Sequence, residues 1–219
     1  MGDLVIAMDG PSGVGKSSTA KQVARRLNLA HLDTGAMYRA IACEVRRLEV
    51  PTDDPEAITK VALGADLRIA TDPDHPRVTV AGRDVTGEIR EPQTSAVVSA
   101  VARIPEVRRH LIARMREIIA AHNRRIVVEG RDITTVVAPD AEVRLLLTAD
   151  PEARIRRRSA ELAGVDRQAV ADSVVGRDRE DSQVSNFTVA TDGVVTIDST
   201  HMDLGEVVEA VLRLAAQHG

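Results

Sequence analysis

The chain has 219 residues, of which 43% are hydrophobic and 28% charged, and its formal net charge is −4. That length supports one well-buried core with a small insertion, and the charge argues against a surface that binds nucleic acid or an anionic membrane throughout. Aromatic residues are scarce. The chain has one tyrosine, Tyr38, one phenylalanine, Phe187, and no tryptophan. So few aromatic side chains exclude a single-strand binder that stacks bases on aromatic platforms.

Arginine dominates the 29 basic residues, since only three of them are lysine: Lys16, Lys21 and Lys60. Guanidinium groups are flat and forked, which suits them to carboxylates and phosphates. The single cysteine, Cys43, excludes an internal disulfide and a cysteine-rich zinc site. We expect a cytoplasmic protein, because no apolar run is long enough to span a membrane and no secretory signal pattern is present.

The chain opens with the order strand, glycine-rich loop, helix. Residues 4–8 form a continuous apolar run typical of a buried parallel strand, residues 10–15 are rich in glycine, and a helix is predicted over 16–27. The next elements are a short strand at 30–32, a helix over 35–48 capped by Asp33 or Thr34, and a helix over 55–63 beginning at Pro55.

Residues 66–90 change in character, because apolar and polar residues alternate between turn signals. This pattern predicts a small antiparallel meander inserted between helices. Strands and helices alternate in the rest of the chain, which predicts an α/β fold with a parallel sheet. The elements are helices over 92–103 and 105–122, strands at 125–128 and 143–147, helices over 151–163 and 166–182, a strand at 194–197 and a helix over 203–217.

Residues 10–17, GPSGVGKS, match the phosphate-loop pattern G-x-x-x-x-G-K-[ST] at every fixed position, with the strand and helix that the motif requires on either side. The glycines let backbone N–H groups converge on a phosphate, and the helix N-terminus adds partial positive charge. Lys16 would reach the β- and γ-phosphates of a nucleotide, and the Ser17 hydroxyl would ligate Mg²⁺. The residues expected to bind the nucleotide are Gly10, Pro11, Ser12, Gly13, Val14, Gly15, Lys16, Ser17 and Ser18.

A phosphate loop alone does not separate kinases from switches and motors. The guanine motif of GTPases and the serine-glycine-glycine signature of transporter ATPases are missing from the sequence. The deciding feature is therefore a second site for an acceptor phosphate.

Two segments could form that acceptor site. In residues 33–39 Arg39 lies one turn into a helix, although a plain helix cap with a surface arginine would give the same pattern. Residues 129–132, EGRD, follow a buried strand, at the sheet edge where ligands bind. There Glu129 could orient Mg²⁺ through water and Arg131 could hold a phosphate, or the segment could be a strand-end turn with a surface salt bridge.

Four segments together resemble bacterial cytidylate kinases: DGPSG at 9–13, LDTGAMYR at 32–39, VTGEIR at 85–90 and EGRDITTVV at 129–137. The similarity covers nearly the whole chain in order, including the meander, which resembles the enlarged monophosphate domain of these enzymes. It implies an α/β P-loop three-layer fold with a five-stranded parallel sheet, a small antiparallel sheet in the insert and a short helical lid. The implied core is 1–32, 92–150 and 183–219, the monophosphate-binding region about 33–104 with the meander at 66–90, and the lid about 151–166.

The resemblance implies ATP-dependent phosphorylation of CMP and dCMP to CDP and dCDP, by direct in-line transfer with Mg²⁺. It also implies a monomer with no nucleic-acid or membrane partner. A kinase for another monophosphate such as UMP, or a non-enzymatic nucleotide-binding switch, is the alternative. The acceptor residues would be Ser99, Arg108 and Asp132 on the base, Asp181 on the ribose, Arg39, Arg131 and Arg177 on the α-phosphate, and Thr34 beside them.

Arginines 154 and 156–158 follow the strand at 143–147, and Arg154, Arg157 and Arg158 share one helix face. Such a face is ordinarily a solvated basic surface, but in the lid that the resemblance implies it closes on ATP. Val184 stands where many family members have a further arginine, for which Arg179 or another lid arginine would substitute. The implied catalytic residues are Lys16, Arg131, Arg154, Arg158 and Arg177, and the implied Mg²⁺ residues are Ser17 and Glu129.

Overall fold

The structure is a computed structural model, and it describes residues 2–161, 170–172, 176, 178–179 and 187–218. The strands are β1 (Leu4–Asp9), β2 (Ala30–Asp33), β3 (Leu67–Ile69), β4 (Val78–Val80), β5 (Arg83–Asp84), β6 (Arg125–Gly130), β7 (Val143–Thr148) and β8 (Val195–Asp198). The helices are α1 (Lys16–Leu27), α2 (Thr34–Arg47), α3 (Pro55–Gly64), α4 (Pro92–Ala102), α5 (Pro105–Ala121), α6 (Pro151–Glu161) and α7 (Leu204–Ala215).

Five strands form a parallel sheet in the order β2-β6-β1-β7-β8. β1 lies at the centre, where Ile6 is opposite Val127 on one side and Val143 on the other. Because all five strands run the same way, their carboxyl ends meet at one edge, and that edge carries both the glycine-rich loop after β1 and the segment after β6. The predicted five-stranded parallel sheet is confirmed.

Helices cover both faces of this sheet, as the predicted three-layer fold requires. Val5 and Ala7 of β1 pack into a core with α2, α3, α4 and α5, whereas Ile6 and Met8 pack on the other face with α1 and α7. Successive strand side chains point to opposite faces, so a strand buried on both sides is apolar throughout. The continuous apolar run of β1 therefore follows from its central position.

The predicted antiparallel meander is confirmed as the sheet β3-β4-β5, although its third strand has two residues. Val78, Val80 and Val85 pack against the buried face of α2, including Ala40 and Cys43. A short 3₁₀ helix over Glu88–Arg90 closes the insert, and the alternating pattern of the sequence did not predict it. The insert is thereby fixed on α2, the helix that follows β2.

The predicted helices agree with the structure to within about two residues, a normal uncertainty at helix ends. Asp33 is the N-cap of α2 and accepts a hydrogen bond from Ala36 N, so α2 begins at Thr34 rather than at 35. Of the predicted helix over 166–182, the described positions 170–172, 176, 178 and 179 are helical, and the remainder lies outside the described residues. The same holds for residues 162–163 of the helix predicted over 151–163. Within the described ranges no helix is both long and apolar enough to cross a membrane.

The end of β6 is packed too closely to accept a side chain at Gly130. A Cβ there would lie against the Thr34 hydroxyl and 2.6 Å from Ile133 Cδ1. We predict that Gly130→Ala lowers the free energy of unfolding by about 1–3 kcal/mol, the usual cost of overpacking. Chemical denaturation measures this, with Gly87→Ala as the matched control, because a Cβ at Gly87 meets nothing within 4 Å and its φ of −79° suits alanine. Equal stability of the two variants would contradict the prediction.

Candidate functional site

The glycine-rich loop joins β1 to α1 at the carboxyl edge of the sheet, as the motif requires. Gly13 and Gly15 have φ values of 75° and 95°, and Gly15 is the N-cap of α1. Residues other than glycine rarely adopt this left-handed region. The motif therefore forms the loop that it predicts, with backbone N–H groups at the start of a helix.

Lys16 is the first residue of α1, and its side chain folds back over the loop. Its Nζ donates to Gly10 O at 2.6 Å and to Pro11 O at 2.9 Å. Burial, assisted by the positive charge of Arg131, lowers the pKa of Lys16 to about 7, while the nearby carboxylates of Glu129, Asp9 and Asp178 oppose the shift. An anion arriving at the loop would favour the charged amine.

Ser17, in the first turn of α1, contacts Glu129, near the end of β6. Ser17 Oγ donates to Glu129 Oε2 at 2.9 Å, and Glu129 is buried at the end of β6. A hydroxyl and a carboxylate are the hard oxygen donors that Mg²⁺ takes, usually together with waters and substrate phosphates. Among the described residues no group of three or more His, Cys, Asp or Glu side chains could hold a metal by itself. This donor set therefore fits Mg²⁺ bound together with a nucleotide.

Asp9 fixes the segment that follows β6. Its buried carboxylate accepts from Ile133 N at 2.8 Å, Thr134 N at 2.9 Å and Thr134 Oγ1 at 2.7 Å. Burial raises the pKa of Asp9, and the hydrogen bonds from Thr134 and Ile133 offset part of that rise. The segment forms a π-helical turn over Ile133–Val137, so the side chains immediately before it are held at the mouth of the phosphate loop.

Arg131 and Arg154 both reach the phosphate loop. Arg131 donates to Gly10 O, and its guanidinium lies 4.7 Å from the centre of the Phe187 ring. Arg154, on α6, donates to Ser12 O at 3.2 Å. The structure thus brings three of the predicted catalytic residues, Lys16, Arg131 and Arg154, to one loop.

Asp178 joins these groups, although no sequence motif singles it out. Its Oδ1 accepts from Ser12 N at 2.9 Å, its Oδ2 accepts from Arg154, and Arg131 Nη2 lies 4.0 Å from Oδ1. A carboxylate held by a loop N–H and two guanidinium groups shows that these donors converge on one anion. Its position in an arginine-rich segment is typical of a solvated helix, so only the folded structure reveals the contact.

The predicted acceptor segment at the start of α2 contacts the same edge of the sheet. Thr34 Oγ1 donates to Glu129 O at 2.8 Å, and Arg39 Nη2 donates to Asp33 Oδ2 at 2.9 Å. Burial alone would raise the pKa of Asp33, but the Arg39 guanidinium and the Ala36 N–H hold it below its usual value. The two candidate segments are therefore in contact at the carboxyl edge of the sheet, and their use by an acceptor stays a prediction.

Arg108 and Asp132 form a largely buried ion pair on the acceptor side. Tyr38 lies close to both charges, and burial raises the pKa of its hydroxyl to about 12. Ser99 lies half-buried on α4, and its carbonyl accepts from Arg103 Nε. An ion pair beside a tyrosine hydroxyl offers both donors and acceptors, the groups needed to recognise a polar base.

Arg157, which shares a helix face with Arg154, and the predicted catalytic residue Arg158 also lie on α6. Arg157 donates to Val14 O at 3.3 Å, Ser199 Oγ at 2.9 Å, Ser199 O at 2.6 Å and Met202 O at 3.2 Å, so it ties α6 to the loop and to the segment after β8. Arg158 is half-buried one position further along α6. Arg177, Asp181 and Val184 lie outside the described residues.

Comparisons with known proteins identify the family of the chain. Residues 6–217 match the family model described as cytidylate kinase. The chain is 58% identical over 213 residues to the cytidylate kinase of Cutibacterium acnes, covering 96% of this chain and 95% of that protein. It is 45% identical over 212 residues to the cytidylate kinase of Streptomyces griseus, covering 96% and 92%.

A solved structure of an uncharacterised protein from Eubacterium ventriosum is similar in fold alone, with a TM-score of 0.52 at 12% identity over 98% of this chain and 99% of that one. The family match spans both the phosphate loop and the residues after β6 that the structure brings beside it. The chain is a phosphotransferase, and it belongs to the cytidylate kinase family.

Proposed function

We propose that this chain transfers the γ-phosphoryl group of ATP directly to CMP and dCMP, giving CDP and dCDP. The observation that supports the proposal is the contact between the phosphate loop after β1 and the segment at the end of β6. Lys16 and Ser17 lie at the start of α1, Glu129 lies beside them near the end of β6, and the Arg131 guanidinium reaches the loop at Gly10. In-line transfer needs donor and acceptor phosphates side by side with their charges neutralised, which this edge of the sheet can provide.

The donor phosphates would lie in the loop over residues 10–18. Its backbone N–H groups and the Lys16 ammonium bind them, and Arg154 reaches the same loop from α6. Ser17 and Glu129 would hold Mg²⁺, with Glu129 acting through water, and the bound ion would neutralise charge on the phosphate oxygens. Arg131, Arg158 and Arg177 complete the cationic set that we assign to the transferring group.

The acceptor would lie over α2, α4 and the turn after β6. Thr34 and Arg39 contact Glu129 and Asp33 at the carboxyl ends of the strands. The Arg108–Asp132 pair, together with Ser99, would bind the polar groups of the cytosine base. We assign Asp181 to the ribose and Arg177 to the α-phosphate from the family resemblance. The proposed division is a core of 1–32, 92–150 and 183–219, an acceptor region of about 33–104 and a lid of about 151–166. A cytoplasmic monomer acting on free nucleotides needs no nucleic-acid or membrane partner.

A panel of acceptors tests the proposed substrate. With ATP and Mg²⁺, we expect fast ADP production with CMP and dCMP and much slower production with UMP, AMP or dTMP, measured in a coupled assay. Equal rates with UMP would overturn the assignment to cytidine nucleotides. Nucleotide binding with no turnover stimulated by any acceptor would instead indicate a switch.

The position of Lys16 predicts proton uptake on nucleotide binding. Its pKa of about 7 makes the amine largely neutral at pH 8, and triphosphate in the loop would restore the charged form. Calorimetry of ATP binding at pH 8, in buffers of different ionisation enthalpy, should therefore show a fraction of a proton to one proton taken up. Lys16→Met should abolish that uptake, and Lys21→Met, at a half-buried lysine on the same helix, should keep it. Uptake unchanged in Lys16→Met would contradict the assignment.

The Arg108–Asp132 pair predicts a selective effect on the acceptor. Asp132→Asn removes the charge that Arg108 faces, so we expect the KM for CMP to rise on the order of tenfold while the KM for ATP stays within about twofold. Asp66→Asn is the control, because it breaks an exposed ion pair with Arg68, which is worth little. Steady-state kinetics with each substrate varied would refute the role if both KM values rose together.

A further inference from the structure

The two carboxylate oxygens of Glu129 have different partners. Oε2 accepts from the Ser17 hydroxyl at 2.9 Å, and Oε1 lies 3.1 Å from His31 Nε2. Glu129 is 3% exposed and His31 is 5% exposed, so water cannot readily replace either contact. Burying a carboxylate without hydrogen-bond donors costs free energy. His31 therefore stabilises Glu129 by contacting the carboxylate oxygen that Ser17 does not reach.

The sheet places His31 at this position. β2 and β6 are parallel neighbours, with His31 opposite Val127 and Asp33 opposite Glu129. Alternate residues of a strand share a face, so His31 and Glu129 are diagonal neighbours on one face. On the open edge of β2 the His31 backbone N–H donates to Thr71 O at 2.8 Å, which fixes the strand that carries the imidazole.

The chemistry of the contact gives each group one role. A carboxylate oxygen accepts, so His31 Nε2 carries the proton and donates it. With Oε1 engaged in this way, the carboxylate cannot rotate freely, and Oε2 faces Ser17. The Ser17 hydroxyl donates its hydrogen bond to Glu129, so the lone pairs of the Ser17 oxygen are free to bind a cation.

We propose that His31 is a positioning residue: its imidazole fixes the carboxylate of Glu129 and, through it, the Ser17 hydroxyl in the orientation that binds Mg²⁺ with the nucleotide. The proposal rests on the proposed use of Ser17 and Glu129 for Mg²⁺. Partners of this kind that orient a metal-binding side chain typically change metal affinity by about 10–100-fold when they are removed.

The test measures ADP binding by calorimetry with and without Mg²⁺, in the absence of any acceptor. His31→Leu should weaken ADP binding about tenfold or more in Mg²⁺ and change it less than about twofold without the metal. His31→Gln, whose amide N–H can reach the same oxygen, should restore most of the Mg²⁺ effect. His31→Asn, whose amide is one bond shorter, should restore less, and the Asn–Gln difference decides the matter if the leucine variant does not fold.

His122→Leu is the matched control. It also removes a histidine contact at this side of the insert, the 2.9 Å hydrogen bond between His122 Nε2 and Thr71 Oγ1, but it does not touch Glu129. The proposal is overturned if His31→Leu binds ADP as tightly as the wild type in Mg²⁺. It is also overturned if the glutamine variant fails to recover, or if His122→Leu loses the Mg²⁺ effect equally.

These outcomes separate the two proposals. A wild-type chain whose ADP affinity responds to Mg²⁺ but which does not phosphorylate CMP would overturn the acceptor assignment and leave the role of His31 intact. A wild-type chain whose ADP affinity does not respond to Mg²⁺ would overturn the role of His31, whatever its activity toward CMP.

Discussion

The buried carboxylate of Asp9 is the constraint on which the geometry of the site depends. It stands at the end of the central strand, and its three hydrogen bonds join the phosphate loop to the turn after β6. Without those donors the burial of Asp9 would be costly, so the carboxylate and the turn hold each other in place. Glu129, Arg131 and Asp132 lie just before that turn and are therefore held beside the loop. The proposed donor and acceptor sites are neighbours because Asp9, at the end of β1, binds the turn that follows β6.

The arginine side chains of this fold make two kinds of contact. Arg157 binds four oxygen atoms of the loop and of the segment after β8, and Arg124 bridges Asp3, Asp140 and Glu142 at the opposite edge of the sheet. These arginines fasten chain segments to one another. Arg131 and Arg154 instead converge on the carboxylate of Asp178 beside the loop. Composition alone shows an excess of guanidinium groups, and only the contacts separate those that join distant segments from those that converge beside the phosphate loop.

Local rules predicted much of this structure. The glycine pattern and its flanking strand and helix predicted the phosphate loop, Asp33 and Pro55 marked helix starts, and alternation predicted the small antiparallel sheet. The π-helical turn after β6 was missed, because it is stabilised by Asp9 from more than 120 residues earlier in the chain. The contacts of Asp178 and His31 with the site were missed for the same reason. Neither residue belongs to a local pattern, and both acquire their role only when distant segments meet.

The two aromatic residues qualify the interpretation of the composition. Their scarcity excluded a surface of stacking platforms, yet both lie beside arginines of the site: Phe187 packs under the guanidinium of Arg131, and Tyr38 lies near Arg108 and Asp132. An aromatic face restricts a guanidinium group and keeps it oriented without competing for its hydrogen-bond donors. Phe187 is therefore placed to support a cation rather than to stack on a base, and in the proposed function base recognition falls to the hydrogen-bonding groups around Asp132.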